Sequence, residues 1–136
     1  MAGYSKTPLW KKIGYKDGFR CQLFGEQDNY LEMVDPLPES VILEDLDLET
    51  TELDLIHFFT KQRTELETNF PRLKSKINKT GIIWISWPKK ASKVQTDIVD
   101  SVVRSIGLDT GLVDVKVAAI DHVWSGLKFV YRTKDR

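Results

Sequence analysis

The sequence predicts an α/β fold in which a mostly parallel sheet carries helices on both faces and ends in an antiparallel strand pair. Segments that suit buried strands alternate with segments of helical period, which is typical of parallel sheets because each crossover needs a helix. Two segments, 54–59 and 82–87, are apolar on both alternating faces, as strands covered on both sides are. A short turn joins the last two predicted strands, so these run antiparallel.

The first part of the chain predicts two short helices and two strands. Thr7 and Pro8 can begin a helix as its cap and first residue, and Gly14 can end it in a left-handed turn. Residues 19–24 then form a strand, 27–34 a short helix and 41–43 a second strand. A very acidic loop follows, up to Glu52. His57 lies within the next predicted strand, as a hydrogen-bonded core histidine.

The second part predicts two longer helices and three strands. Thr60 can cap a helix that Pro71 kinks or that restarts at Asn69, and its apolar stripe is Leu66, Phe70, Leu73 and Ile77. The strand 82–87 stops at Pro88. A helix capped by Thr96 and closed by Gly107 precedes strands at 113–117 and 127–132, which a turn at 121–126 connects.

Size and composition predict one domain, residues 1–136, and exclude several classes of site. Cys21 is the single cysteine, which excludes an intrachain disulfide and a multi-cysteine metal site. His57 and His122 lack a metal-binding spacing, so no metal is expected. Residues 1–5 contain no signal-peptide core, and no apolar run is long enough to span a bilayer. We therefore expect a bacterial-type cytoplasmic protein.

Charge is segregated along the chain although the net charge is zero. Residues 21–60 hold eleven acidic and no basic side chains, whereas residues 61–136 hold fifteen basic and eight acidic ones. Such asymmetry indicates either an interaction surface or segments that neutralise each other once folded. Nucleic-acid contact through the basic half is the weakest hypothesis, and we expect neither nucleic acid nor membrane as a partner.

Three segments resemble the class I methyltransferase fold, a Rossmann-like sheet that is parallel except for its final strand. LDLIHFF and NKTGIIWISWP resemble its fourth and fifth strands, and GLVDVKVAAIDHVWSGLKFVYR resembles its closing pair. One helix–strand unit is missing in this comparison, because the acidic loop 46–53 stands where the third strand would be.

A second resemblance covers nearly the whole chain. TPLWKKIG, SWPKKAS and VWSGLK resemble an uncharacterised bacterial family, a domain of unknown function. This likeness implies no activity.

The loop after the first strand departs from the methyltransferase pattern. In that class of sheet, glycines here let the backbone approach the ligand closely. This chain has one glycine, Gly25, followed by Glu26, Asp28 and the bulky Tyr30. Glu44 lies nineteen residues after Gly25, where an acid often holds a ribose. The missing glycines nevertheless predict that the chain uses no cofactor and that an S-adenosylmethionine site is absent or rebuilt.

The carboxyl ends of the strands are the expected ligand end, since open α/β sheets bind ligands there. Two loops meet at this end and predict a ligand-binding site made of Trp87, Lys89, Lys90, Ser92, Lys93, His122, Trp124 and Ser125. Amides at the start of the Thr96 helix would add anion donors. A phosphate or carboxylate with an apolar body would suit this set. Alternatively the lysines are solvated, the indoles pack in the core, and Ser92 forms a capping box with Gln95.

No catalytic residue emerges from the sequence. The leading hypothesis is a non-catalytic binding or regulatory module on a shortened methyltransferase-like scaffold, with a small anionic ligand or a protein as partner. The alternative is a small S-adenosylmethionine-dependent methyltransferase, or another enzyme with a rebuilt nucleotide pocket.

Overall fold

The computed structural model describes residues 7–45 and 49–136, and six strands form one sheet within these ranges. The helices are α1 Leu9–Ile13, α2 Tyr30–Met33, α3 Arg63–Lys76 and α4 Asp100–Thr110. The strands are β1 Arg20–Phe24, β2 Ile42–Leu43, β3 Leu53–Phe59, β4 Ile77–Pro88, β5 Leu112–Ala119 and β6 Trp124–Tyr131. Short 3-10 turns span Lys90–Ser92 and Thr133–Asp135.

The sheet has the strand order β2-β1-β3-β4-β6-β5. The β1–β2, β1–β3 and β3–β4 pairs are parallel, and β6 runs antiparallel to both β4 and β5. This confirms the predicted fold class. In the described residues β2 is the end strand of the sheet, so no strand there corresponds to the third strand of the methyltransferase fold. Of the predicted acidic loop 46–53, residues 46–48 lie outside the described residues and Leu53 already belongs to β3.

Each face of the sheet has its own apolar core. On one face α3 and α4 contribute Phe70 and Val103, which pack with Ile85 and Phe129 of the sheet. The other face is covered from α1 and α2, and its buried residues include Ile13, Cys21, Tyr30, Trp84 and Trp124. The Trp84 Nε1–H donates to the Ile13 carbonyl over 2.6 Å, which ties α1 to the centre of the sheet.

Helix α3 differs from the prediction at its start and at its proline. It begins at Arg63, and the Thr60 hydroxyl accepts from the Gln62 amide in the turn before it, 3.2 Å away, rather than capping the helix. The helix continues through Pro71 without interruption, so the alternative of a restart at Asn69 is wrong. Asn69 lies inside the helix and donates to the Glu65 carbonyl instead of capping a restart.

Helix α4 begins and ends later than predicted. The Thr96 hydroxyl donates to the Lys61 carbonyl over 2.6 Å, and the helix starts at Asp100. It ends at Gly111, which adopts φ 97°. Gly107 lies inside the helix, where an added Cβ would come within 2.1 Å of the Phe129 ring. Close packing, rather than a turn, therefore explains this glycine.

Other boundaries shift by a few residues. Helix α1 ends at Gly14 with φ 105° as expected, but Pro8 occupies its cap position in place of Thr7. Helix α2 is confined to Tyr30–Met33 within the predicted 27–34. Strands β4 and β6 both begin earlier than predicted. The earlier start of β6 shortens the turn before it. None of the helices in the described ranges is long and apolar enough to cross a bilayer.

Candidate functional site

Two cavities open beyond the edge of the sheet at which the parallel strands β1 to β4 end, here called the carboxyl edge. One lies past the ends of β1 and β2, and the other past the end of β4. The carboxyl ends of strands are where open α/β sheets bind ligands. These cavities are therefore the candidate sites.

The acidic cavity has a volume of about 490 Å³, within the range of small-molecule sites. Its apolar lining includes Leu23, Leu31 and Leu43. Four carboxylates line it, and no lysine or arginine is among its described lining residues; the four are Glu26, Asp28, Glu44 and Asp45. This is the local consequence of the acidic segment of the sequence.

The bulky Tyr30, which the sequence places in the loop after the first strand, does not fill the space beyond β1. Tyr30 is buried, and its hydroxyl is turned into the protein, 2.8 Å from both the Tyr15 hydroxyl and His57 Nδ1. Glu26 is exposed at the rim. Because the tyrosine is held inside, the loop after β1 leaves space beyond the strand even though it carries a single glycine.

Gly25 is required where the first turn crosses the neighbouring strand. Its φ is +67°, and a Cβ there would lie 2.4 Å from the Phe59 carbonyl oxygen at the end of β3. The turn therefore passes directly against β3. One glycine meets this requirement, which explains how a motif with fewer glycines still leaves a cavity.

The two acidic residues at the end of β2 are held by β1. The Glu44 amide donates to the Cys21 carbonyl, and Arg20 Nε donates to Glu44 Oε2, each over 2.8 Å. Gln22 Nε2 donates to the Asp45 carbonyl over 2.8 Å. These contacts place both acidic residues at the cavity, at the position that the sequence assigned to a ribose-binding acid.

A buried polar chain supports the floor of the acidic cavity. It runs from Tyr15 through Tyr30 to His57, whose Nε2 is 2.7 Å from Ser86 Oγ. Burial lowers the pKa of His57 to about 3, so this imidazole is neutral near pH 7. The sequence indicated a core histidine but not its partners, which are 27 and 29 residues away along the chain. Burial also raises the pKa of Cys21 to about 12, which leaves the thiol protonated.

The lysine cavity has a volume of about 640 Å³. Of the eight residues that the sequence assigned to a ligand site, five line it: Trp87, Lys89, Lys90, Lys93 and Ser125. The two predicted loops are adjacent, since the Lys89 amide donates to the Val123 carbonyl over 2.8 Å.

The other three assigned residues lie elsewhere. The Trp124 ring packs edge-on against Phe59 in the core of the opposite face, with centroids 5.1 Å apart. His122 is exposed in the turn before β6 and does not line the cavity. Ser92 Oγ donates to the Lys89 carbonyl over 2.7 Å, which stabilises the 3-10 turn. Strand alternation puts Trp124 on the opposite face.

Two further sequence expectations for this region are wrong. Ser92 accepts from the Val94 amide, so it forms a local turn instead of a capping box with Gln95. The helix amides expected near Thr96 belong to Asp100 and later residues, and the Asp100 carboxylate accepts from the Ser101 amide. In the described residues no group of histidine, cysteine or acidic side chains could hold a metal ion.

The chain is similar in structure to methyltransferases. It superposes on a TehB-like S-adenosylmethionine-dependent methyltransferase from Corynebacterium glutamicum with a TM-score of 0.58 and 12% identity, over 96% of this chain and 91% of that one. For a similar enzyme from Aquifex aeolicus the TM-score is 0.59 at 16% identity, over 89% and 86%. Magnesium protoporphyrin IX methyltransferase from Synechocystis, with S-adenosylmethionine bound, gives 0.59 at 12%, over 91% and 74%.

These structures confirm the methyltransferase-like Rossmann fold and correct the expectation about cofactors. The expectation of no cofactor is overturned by these similar structures: the Corynebacterium and Aquifex proteins are S-adenosylmethionine-dependent methyltransferases, and the Synechocystis enzyme is solved with S-adenosylmethionine and with its demethylated product bound. No family model and no curated protein matches the chain. The resemblance to an uncharacterised bacterial family therefore stays a prediction.

Proposed function

We propose that this protein is a small S-adenosylmethionine-dependent methyltransferase that binds its cofactor in the acidic cavity. The observation that carries the proposal is a cavity of about 490 Å³ at the carboxyl ends of β1 and β2, where every charged lining residue in the described part of the chain is a carboxylate. The similar structures favour this function over the non-catalytic module. The main argument for a non-catalytic module was the missing glycines after the first strand. That argument is weakened, because the first turn leaves the cavity open.

The charge of the cavity discriminates between nucleotide ligands. Glu26, Asp28, Glu44 and Asp45 would repel the phosphates of a dinucleotide or a nucleoside triphosphate. S-Adenosylmethionine has no phosphate, and it carries a sulfonium and an ammonium against one carboxylate. An acidic site therefore favours it electrostatically.

The residues present fit this ligand. Arg20 binds Oε2 of Glu44, so Oε1 can accept from a ribose hydroxyl, with Asp45 beside it. Leu31 and Leu43 are 57% and 37% exposed and offer apolar contact to the adenine. The cofactor would supply an activated methyl group, and the protein's part is to bind and orient it.

Glu44→Gln tests the proposal, with Arg20→Gln as its matched control. Both variants break the same ion pair, but only the first removes the carboxylate. We expect Glu44→Gln to weaken S-adenosylmethionine binding about tenfold, the size of one hydrogen bond to a charged group. Arg20→Gln should weaken it less, because the carboxylate remains and the Glu44 amide still donates to the Cys21 carbonyl. Isothermal titration calorimetry measures the dissociation constant of S-adenosylmethionine for both variants.

Competing ligands complete the experiment. Adenosine triphosphate should bind far more weakly than S-adenosylmethionine because of the four carboxylates. Equal binding of the two, or no heat from S-adenosylmethionine at about 1 mM, would contradict the proposal. Equal losses in Glu44→Gln and Arg20→Gln would contradict the proposed contact between the Glu44 carboxylate and the cofactor, because only the first variant removes that carboxylate.

A further inference from the structure

The lysine cavity differs in charge from the acidic cavity on the same edge. Lys89, Lys90 and Lys93 line it, and the one carboxylate among its described lining residues, that of Asp100, accepts a hydrogen bond from the Ser101 amide. A site with this balance attracts anions. The two cavities therefore suit ligands of opposite charge.

The walls of the lysine cavity are apolar. Trp87 and Ile98 are buried beneath it. Val99 and Val117, which are 49% and 58% exposed, also line it and add apolar surface that is open to solvent. A ligand that fills this space needs an apolar body as well as an anionic group.

The loop that carries the lysines is held in one conformation. The Lys89 amide donates to the carbonyl of Val123 in the turn before β6, and the Lys93 amide donates to the Lys90 carbonyl over 3.1 Å. Lys93 adopts φ +62°, a left-handed conformation that usually belongs to glycine. A strained lysine at a cavity rim is the kind of outlier that points to a function.

The spacing of the strands relates the two cavities. Neighbouring strands lie about 4.8 Å apart, so a site over β1 and β2 is roughly 14 Å from one over β4 and β6. A third cavity, of about 440 Å³, lies between them past the end of β3, and it shares Gln95 and Thr96 with the lysine cavity. An elongated ligand held by the lysines could extend along this edge.

We propose that the lysine cavity binds an elongated amphipathic anion, a carboxylate or phosphate on an apolar body, as the methyl acceptor. Its acceptor role rests on the proposed function, whereas the binding of the anion does not. The lysines would hold the charged group, Val99 and Val117 would contact the apolar body, and the reacting atom would extend toward the acidic cavity.

Binding of 2-naphthoate to the full chain tests this proposal, with uncharged 2-naphthamide as the isosteric control ligand. Amide chemical shifts in two-dimensional NMR report both affinity and location. We expect shifts at Trp87, Val99 and Val117, a dissociation constant at least about tenfold lower for the acid than for the amide, and weaker binding at high salt.

Three variants separate the site from general charge effects. Lys90→Gln and Lys93→Gly should each weaken 2-naphthoate binding severalfold. Lys93→Gly should also raise the urea midpoint because glycine relieves the left-handed backbone. Lys134→Gln makes the same charge change as Lys90→Gln in the turn after β6, at the opposite edge of the sheet, and should leave binding unchanged.

Equal affinity for acid and amide, an equal loss in Lys134→Gln, or shifts confined to other residues would overturn the proposal. Failure of the cofactor proposal gives a different result. If 2-naphthoate binds as expected while S-adenosylmethionine does not, the anion site stands and only its role as acceptor site falls. If S-adenosylmethionine binds and 2-naphthoate does not, the cofactor proposal stands and the anion site is overturned.

Discussion

At the scale of single residues, His57 shows how a polar group is accommodated in the sheet. Its imidazole is fully buried, stacks on Phe59 with centroids 4.3 Å apart, and has a hydroxyl partner at each nitrogen. A neutral imidazole satisfies both contacts as one donor and one acceptor. Since Tyr30 also lines the acidic cavity, this histidine anchors part of the cavity floor.

The buried His57 should make stability depend on pH. Its pKa is lowered from 6.5 to about 3 in the folded protein, so folding favours the neutral form. That contribution is fully present above pH 6.5 and is lost as the pH falls toward 3. We expect His57→Gln to lower stability at pH 7 but to lose less stability than wild type between these pH values.

Urea midpoints measured across that range check this expectation. His122→Gln is the matched control because His122 is the exposed second histidine, and it should keep the wild-type pH profile. Parallel profiles for wild type and His57→Gln would contradict the assignment.

At the scale of elements, α4 depends on one glycine for its distance from the sheet. Gly107 faces the ring of Phe129, which is fully buried and packs edge-on against Phe70 of α3 with centroids 5.1 Å apart. The ring therefore cannot move away freely. Helix propensity favours alanine over glycine by about 1 kcal/mol, but a contact this close reverses the sign.

Gly107→Ala should accordingly destabilise the protein by about 1–3 kcal/mol, because the added methyl overpacks the core. Ser105→Ala changes an exposed position of the same helix and should be neutral or slightly stabilising. Urea unfolding at pH 7 measures both. A stabilised Gly107→Ala variant would show that the helix can move away from β6.

At the scale of the whole molecule, the segregated charge of the sequence becomes a property of one edge. Strands β1 and β2 belong to the acidic segment and β4 and β6 to the basic one, and the strand order keeps the two pairs apart. The Arg20–Glu44 ion pair lies within the acidic end. The fold therefore keeps an acidic and a basic region apart on this edge instead of letting the two neutralise each other.

The same strand order predicts a gradient of local stability. The central strands β3 and β4 are covered on both faces, whereas Ile42 of β2 and Val115 and Val117 of β5 are more than half exposed. We expect hydrogen exchange to be slowest in Leu53–Phe59 and the apolar part of β4, and fastest in β2 and β5. Exchange followed by NMR checks this, and uniform protection would contradict it.

The sequence by itself determined the class of fold, the parallel order with its antiparallel end, and the loop that brings Lys89, Lys90 and Lys93 together. These features follow from local patterns: apolar period, proline, glycine and chain order. Helix ends were predicted less well. Thr60 and Ser92 satisfy nearby backbone groups in turns that compete with caps, and Thr96 donates to the carbonyl of Lys61, 35 residues away.

Only the tertiary structure decided whether the first turn is open. The segment Gly-Glu-Gln-Asp-Asn-Tyr suggests a crowded loop. In the structure the Tyr30 ring turns inward, because its hydroxyl hydrogen-bonds to the Tyr15 hydroxyl and to His57 Nδ1. Likewise, Trp124 follows its strand face into the opposite core, away from the lysines. Hydrogen bonds and packing between residues distant in sequence fix where a side chain points, and no local pattern encodes them.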